Sequence, residues 1–341
     1  MEIPTKLASK SGVLDQHCDI QGFRRRVLPI AADSQKVVAV ICACASSSAS
    51  DGKIISFIFH QKTFVSDTWN DSDEVIRLVE SSPILHGSDD SLVQISDDTV
   101  VKFGHTFSST SSEALAMNLV RAQTSIPVPR VRQVVRHMHP EGEGLIVMDL
   151  IRNGRQLHAC WPSLSLWAKF KVVLTMRYYL RQLRQVQDEH SATPGPIGPE
   201  PSLCNGLQFG YDSQGPFPTT TALAEHFHKV LRFAQARGSQ GYAASPGCDP
   251  LDESIFSPLV FTHNDLNMRN ILLDDDGRLW IVDWGFSGFF PTWFEYLGML
   301  FAAQKDRERR GWQMMVKFMT EPAFEVERWM AKIGYDYTQA P

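Results

Sequence analysis

The sequence predicts an α+β fold of two lobes, a small β-rich lobe followed by a larger helical one, and three observations predict it. Short runs rich in Val and Ile (LVQIS, TVVKFG, VRQVVRH, GLIVMDLI) follow one another between residues 92 and 151 and read as strands. From Leu164 onward apolar residues recur at helical spacing instead. A strand-rich front half and a helical rear half each bury their own core and leave a cleft between them, and 341 residues suffice for both. The expected divisions are an N-terminal extension over 1–83, the small lobe over 84–150 and the helical lobe over 151–341.

Residues 1–83 hold two apolar runs, VVAVICACA and KIISFIFH, separated by a Ser-rich tract, and read as strands joined by a flexible link. LVQIS and TVVKFG flank Asp97 and Asp98 as a hairpin. SSTSSEALAMNLVRAQ places Ser residues and Glu113 at the start of an apolar-periodic segment, a capped helix. IPVPRV is extended, because each proline fixes its own φ and biases its predecessor away from helix. In the rear half, Leu166, Phe170, Val173, Leu174, Leu180 and Leu183 predict a long helix over 164–187, which TPGPIGPEPS interrupts. LAEHFHKVLRFAQARG, YLGMLFAAQ and GWQMMVKFM predict three more.

Composition excludes several functions. A net charge of −5 supplies no basic field for nucleic acid. Six scattered cysteines with no CxxC pair argue against a structural zinc site and a disulfide framework. The longest apolar run, at 37–45, is too short to span a bilayer, and MEIPTKLASKSG lacks a signal-peptide core, so the expectation is a cytoplasmic protein with neither nucleic acid nor membrane as partner. His226 and His228, two apart, point to different sides of a helix and predict no metal site.

The stretch FTHNDLNMRNILLDDDGRLWIVDWG carries the chemistry. LVFT enters a polar loop, and ILL and LWI then form a hairpin around the turn at Asp274, Asp275, Asp276 and Gly277. Asp265 and Asn270 stand five apart in the loop, and the hairpin returns Asp283 to the same end. Two carboxylates and an amide oxygen should therefore converge. Such hard oxygen ligands suit Mg²⁺, which takes one or two protein carboxylates and completes its shell with substrate phosphates.

The pattern H-x-D-x-x-x-x-N followed by D-x-G resembles the catalytic core of protein-kinase-like phosphotransferases, and more narrowly the aminoglycoside phosphotransferase and choline kinase group with its large fungal set. TVVKFG, SEALAMNLV, SIPVPRV, GLIVMDLI, GPFP and VDWGFSGFFPTWFEY support the likeness, which runs from about residue 84 to about residue 300. The resemblance implies a protein-kinase-like fold using ATP and Mg²⁺. It implies Asp265 as catalytic base or orienting group, His263 as support of the loop, and Asn270 and Asp283 as Mg²⁺ ligands. Lys102 would grip the α- and β-phosphates, with Glu113 fixing it. The chain departs from its relatives at Asn264, where Gly is usual, and at Gly285, where the fungal set often has an acid. HGSDDS at 86–91 stands where a Gly-rich phosphate loop would be.

Taken singly, these residues read as a solvated turn, a strand-end lysine and a helix N-terminal acid; the kinase reading rests on their combination. No room follows Asp283 for a protein-kinase activation segment, so the expected acceptor is a small hydroxylated molecule. Residues 151–341 hold 19 Lys+Arg against 20 Asp+Glu, a near balance that does not favour a polycationic aminoglycoside. The aromatics after Asp283 read as core, with Trp293 and Tyr296 as possible substrate contacts and room for a choline-like head by cation–π contact. Two alternatives stay open: a pseudokinase that binds nucleotide or a partner without turnover, and a metal-dependent hydrolase.

Overall fold

The computed structural model describes residues 72–82, 92–139, 142–210, 212–238, 248–306 and 310–332. The two apolar runs of the first sixty residues and the HGSDDS segment lie outside these.

The small lobe is a four-stranded antiparallel sheet of β1 (Leu92–Ser96), β2 (Thr99–Gly104), β3 (Val131–His139) and β4 (Gly142–Asp149), ordered β1-β2-β4-β3. Side chains alternate across it. Val100, Ile146 and Met148 face helix α2 (Phe107–Gln123) with its Ala114, Met117 and Val120. Val101, Val135, Leu145 and Val147 face the other way, against Val75 and Val79 of α1 (Ser72–Ser81). Helix α1 belongs to the stretch read from sequence as strands and a link. Its SDEVIRLVES offers two buried valines at i, i+4 and gains a core only by lying on this sheet.

Helix α2 begins at a capping box, with Thr106 and Ser109 each accepting from the other's backbone N–H. The cap is thus one turn ahead of the expected serines, and Glu113 sits two turns inside, buried. Gly104 and Gly144 pair across the sheet, and a Cβ on either would strike the Thr110 side chain, so both glycines are what let α2 approach this closely.

The larger lobe opens with β5 (Arg155–Gln156), a short helix α3 (Leu157–Cys160) and the long α4 (Leu166–Leu183), capped by Ser165 and ending four residues before the expected boundary. Helix α5 (Thr220–Gly238) follows the Pro/Gly-rich stretch. Strand β6 (Leu259–Thr262) leads to the polar loop, and β7 (Ile271–Leu273) and β8 (Leu279–Ile281) form the expected hairpin. Asp274 closes its turn by accepting from the Arg278 backbone and the Trp280 indole at 2.8 Å each. Strand β9 (Gly288–Pro291) returns to pair with β6, which sequence did not predict. Helix α6 (Trp293–Lys305) is buried along its whole length to Ala303, the centre of the lobe. Helices α7 (Arg310–Met319) and α8 (Phe324–Lys332) pack outside it.

The aromatic cluster is core. Phe290, Trp293 and Phe294 pack against one another and against Phe209, Phe227 and Phe256, mostly tilted or edge to face. Trp293 and Tyr296 are 3% and 0% exposed, which removes them as substrate contacts.

Candidate active site

The loop between β6 and β7 and the end of the β7–β8 hairpin meet strand β2 and helix α2 of the other lobe. Lys102 reaches across. Its ammonium lies 2.7 Å from Glu113 and 2.6 Å from Asp283. Burial would drive the proton off this lysine, but the two carboxylates outweigh it and hold its pKa above the ordinary value. Asp283 shows the same contest: burial pushes it up, but the Lys102 charge and hydrogen bond, with His263 and Arg269 adding, together outweigh it, and the carboxyl ends below its usual range. Glu113 also accepts from the Trp284 backbone at 3.2 Å, so it ties α2 to the segment that carries Asp283. Asp283 has φ 65°, a left-handed conformation uncommon for a residue with a side chain.

Asp265 and Asn270 face each other within the loop. The Asn270 amide nitrogen donates to Asp265 Oδ2 at 3.0 Å and to the Asp265 carbonyl at 2.8 Å, which leaves the amide oxygen as the free end of the group. Asn267 donates to Asp265 Oδ1 at 3.2 Å. Burial and then the Asp283 charge push the Asp265 carboxyl up to about 6. Two carboxylates are thus held close enough to repel, with an amide oxygen beside them, and a divalent cation would relieve that repulsion. Asp265, Asp283 and Asn270 are hard oxygen donors of the kind that could hold Mg²⁺ together with phosphate oxygens, while no cluster of three or more His, Cys, Asp and Glu forms among the described residues.

His263 is buried and braces this arrangement. Its Nε2 lies 3.0 Å from the Val282 carbonyl, and its Nδ1 accepts from the Asp265 backbone N–H at 3.3 Å. That pair of bonds assigns the neutral tautomer with the proton on Nε2. Burial pushes its pKa down to about 4, in keeping with a neutral ring. The imidazole therefore locks the loop residue Asp265 to the segment after β8 that carries Asp283.

Asn264 has φ 66°, which explains why glycine is usual here. Asparagine is among the few other residues that tolerate this region. Gly206 leaves the side chain room and Gly298 leaves room for the backbone carbonyl: a Cβ at Gly206 would lie 2.5 Å from Asn264 Nδ2, and one at Gly298 would lie 3.2 Å from the Asn264 carbonyl oxygen. The Nδ2 nitrogen donates instead to the Asn205 carbonyl at 2.8 Å.

Glu295 escaped the sequence reading. Entirely buried on α6, it accepts from the backbone N–H of His263 at 2.6 Å and of Asn264 at 3.3 Å, and burial pushes its carboxyl up to about 7. It fixes the loop from below. The signal was available: a lone acid inside a continuous apolar helix must have a partner.

Residues 249–317 match the family model described as the phosphotransferase enzyme family, a span that includes His263, Asp265, Asn270, Asp283 and Glu295 but neither Lys102 nor Glu113. No curated protein matches the chain by sequence. Among solved structures, the streptomycin–ATP–APH(2")-IIa ternary complex is similar at 13% identity over 80% of this chain and 90% of that one, with a TM-score of 0.50. The gentamicin–APH(2")-IIa complex is similar at 13% identity over 78% and 90%, TM-score 0.45. Choline kinase LicA from Streptococcus pneumoniae is similar at 14% identity over 74% and 79%, TM-score 0.37. The matched family is one of phosphotransferase enzymes, and the fold is that of the APH(2")-IIa structure.

Proposed function

We propose that this chain is an ATP-dependent phosphotransferase that moves the γ-phosphoryl group to a hydroxyl of a small molecule. The observation that carries the proposal is the bond chain linking Glu113, Lys102 and Asp283 across the lobes, with Asp265 and Asn270 beside it. A lysine fixed between two carboxylates is a phosphate-binding cation held ready; nucleotide entry would let it exchange Asp283 for phosphate oxygens. Asn270 and Asp283 would hold Mg²⁺, which neutralises charge on the transferring group when bound. Phosphoryl transfer has a loose transition state, so placement matters more than base strength. Asp265, held by Asn267 and Asn270 and raised toward neutrality by burial, orients the acceptor hydroxyl and takes its proton. His263 and Glu295 keep that carboxylate in place.

The acceptor is read as small. Strand β9 and helix α6 follow Asp283 within ten residues and are buried, so no docking groove for a peptide forms there. No helix among the described residues is long and apolar enough to cross a membrane. The test is a pair of variants assayed for nucleotide binding and for ADP release with hydroxylated metabolites. Asp265→Ala should keep ATP·Mg²⁺ binding and lose transfer, whereas Asp283→Ala should lose binding itself. Equal effects of both on nucleotide affinity would overturn the division of roles. Turnover without nucleotide would favour a hydrolase, and nucleotide binding with no transfer to any acceptor a pseudokinase.

A further inference from the structure

Helix α4 is apolar on both of its faces. Ala168, Val172, Met176, Leu180 and Leu183 are buried in the lobe. On the opposite side Leu166, Trp167, Phe170, Leu174 and Tyr178 are exposed, from 41% to 84%. At 3.6 residues per turn these five share one face, and Lys171, Arg177 and Arg181 lie among them. A surface helix ordinarily turns a polar face to water, so this one is built for something else. The patch continues onto α7, where Met314 and Phe318, one turn apart, are exposed at 73% and 48%. Arg177 joins the two helices: its guanidinium lies 4.9 Å from the Phe318 ring centroid and donates to the Phe318 carbonyl. Trp167 stacks on Phe170 at 5.6 Å, with the Lys171 ammonium 5.4 Å from the indole.

Charge selects the occupant. The α4 sequence LWAKFKVVLTMRYYLRQL contains Lys169, Lys171, Arg177 and Arg181 and no acidic residue. A twofold pairing with a second copy would set these cations against their own images, with no carboxylate on α4 to answer them. An exposed face carrying Trp and Tyr with a cationic fringe instead matches the composition of helices that lie in the headgroup layer of a membrane. We propose that the α4–α7 face docks on a bilayer surface rich in anionic phospholipid. The sequence expectation of no membrane partner came from the lack of a span. A helix lying in the plane of the interface needs none.

The test uses the full chain, sedimented with vesicles of phosphatidylcholine alone and of an equimolar mixture with phosphatidylserine. The protein should pellet with the mixed vesicles and stay largely in solution with phosphatidylcholine. Trp167→Ser/Phe170→Ser should abolish pelleting, and Lys171→Gln/Arg181→Gln should weaken it about twenty-fivefold, the product of roughly fivefold for each cation removed. Both double variants change exposed positions, apart from the half-buried Lys171, and should unfold at the same temperature as the parent, so their loss would report the face and not the fold. No pelleting with either vesicle overturns the proposal, as does equal pelleting with both. A dimer that the Trp167→Ser/Phe170→Ser variant dissolves would overturn it in favour of self-association.

Discussion

Replacing Glu295 by alanine should release the catalytic loop. The carboxylate accepts two buried backbone N–H groups, from His263 at 2.6 Å and from Asn264 at 3.3 Å. Each buried donor left without a partner costs about 1–3 kcal/mol, and the longer of the two bonds contributes the smaller share. A water entering the vacated space would recover part of the loss, so a net cost of roughly 2–3 kcal/mol is expected. Glu295→Gln keeps one acceptor oxygen and turns an amide N–H₂ toward the other donor, so it should fall between the parent and the alanine variant. Hydrogen exchange of the 259–270 segment reads the effect locally, without requiring the acceptor to be known. About 2 kcal/mol corresponds to roughly thirtyfold faster exchange at the two amides. Unchanged protection in Glu295→Ala, or a glutamine variant worse than the alanine one, would refute the idea that this carboxylate holds the loop.

Other consequences follow from the same geometry. In the proposed mechanism Asp265 acts as a carboxylate, and its pKa is raised to about 6, so turnover should fall with one proton as pH drops through that value. A bound cation would move the limb lower, and a profile flat from pH 7 to about 4 would count against the role. His226 is pushed down to about 4 by burial among Phe209, Phe217 and Phe227, with Lys229 adding to the effect. Its folded pKa lies below the unfolded one, so its stabilising contribution is full above about 6.5 and is lost as pH falls toward 4. Urea titrations should show a decline over that window, on the order of 2 kcal/mol for this residue, that His226→Leu lacks. Gly298→Ala would set a Cβ 2.7 Å from Gln208 Nε2 and 3.2 Å from the Asn264 carbonyl, and should cost about 1–3 kcal/mol in thermal unfolding.

What could be read from the sequence was what lies close together along the chain. Asp265 and Asn270 share a loop, and the turn from Asp274 to Gly277 returns Asp283 to them, so the cluster follows from hairpin chemistry alone. Lys102 and Glu113 are separated only by the end of a strand and the first two turns of a helix. Contacts made over long separations were not legible. Glu295 comes from a helix beyond β9, in a run of aromatic residues that reads as plain core. Asn264 is accommodated by Gly206 and Gly298, from opposite sides of it in sequence, and no local pattern announces that. Helix α1 shows only two valines at helical spacing and takes its stability from the far face of the sheet. The exposed face of α4 misled in another way, since Phe170 and Leu174 contribute to the periodicity that predicted the helix and yet point away from the core.

Calorimetric titration of ATP into the full chain, with and without Mg²⁺, tests the central claim most directly. Lys102 held between Glu113 and Asp283, with Asp265 and Asn270 at hand, predicts binding that strengthens sharply with Mg²⁺ and is lost in Asp283→Ala. A folded protein that takes up no ATP, or takes it up equally well with Mg²⁺ absent and in Asp283→Ala, would contradict the phosphotransferase account.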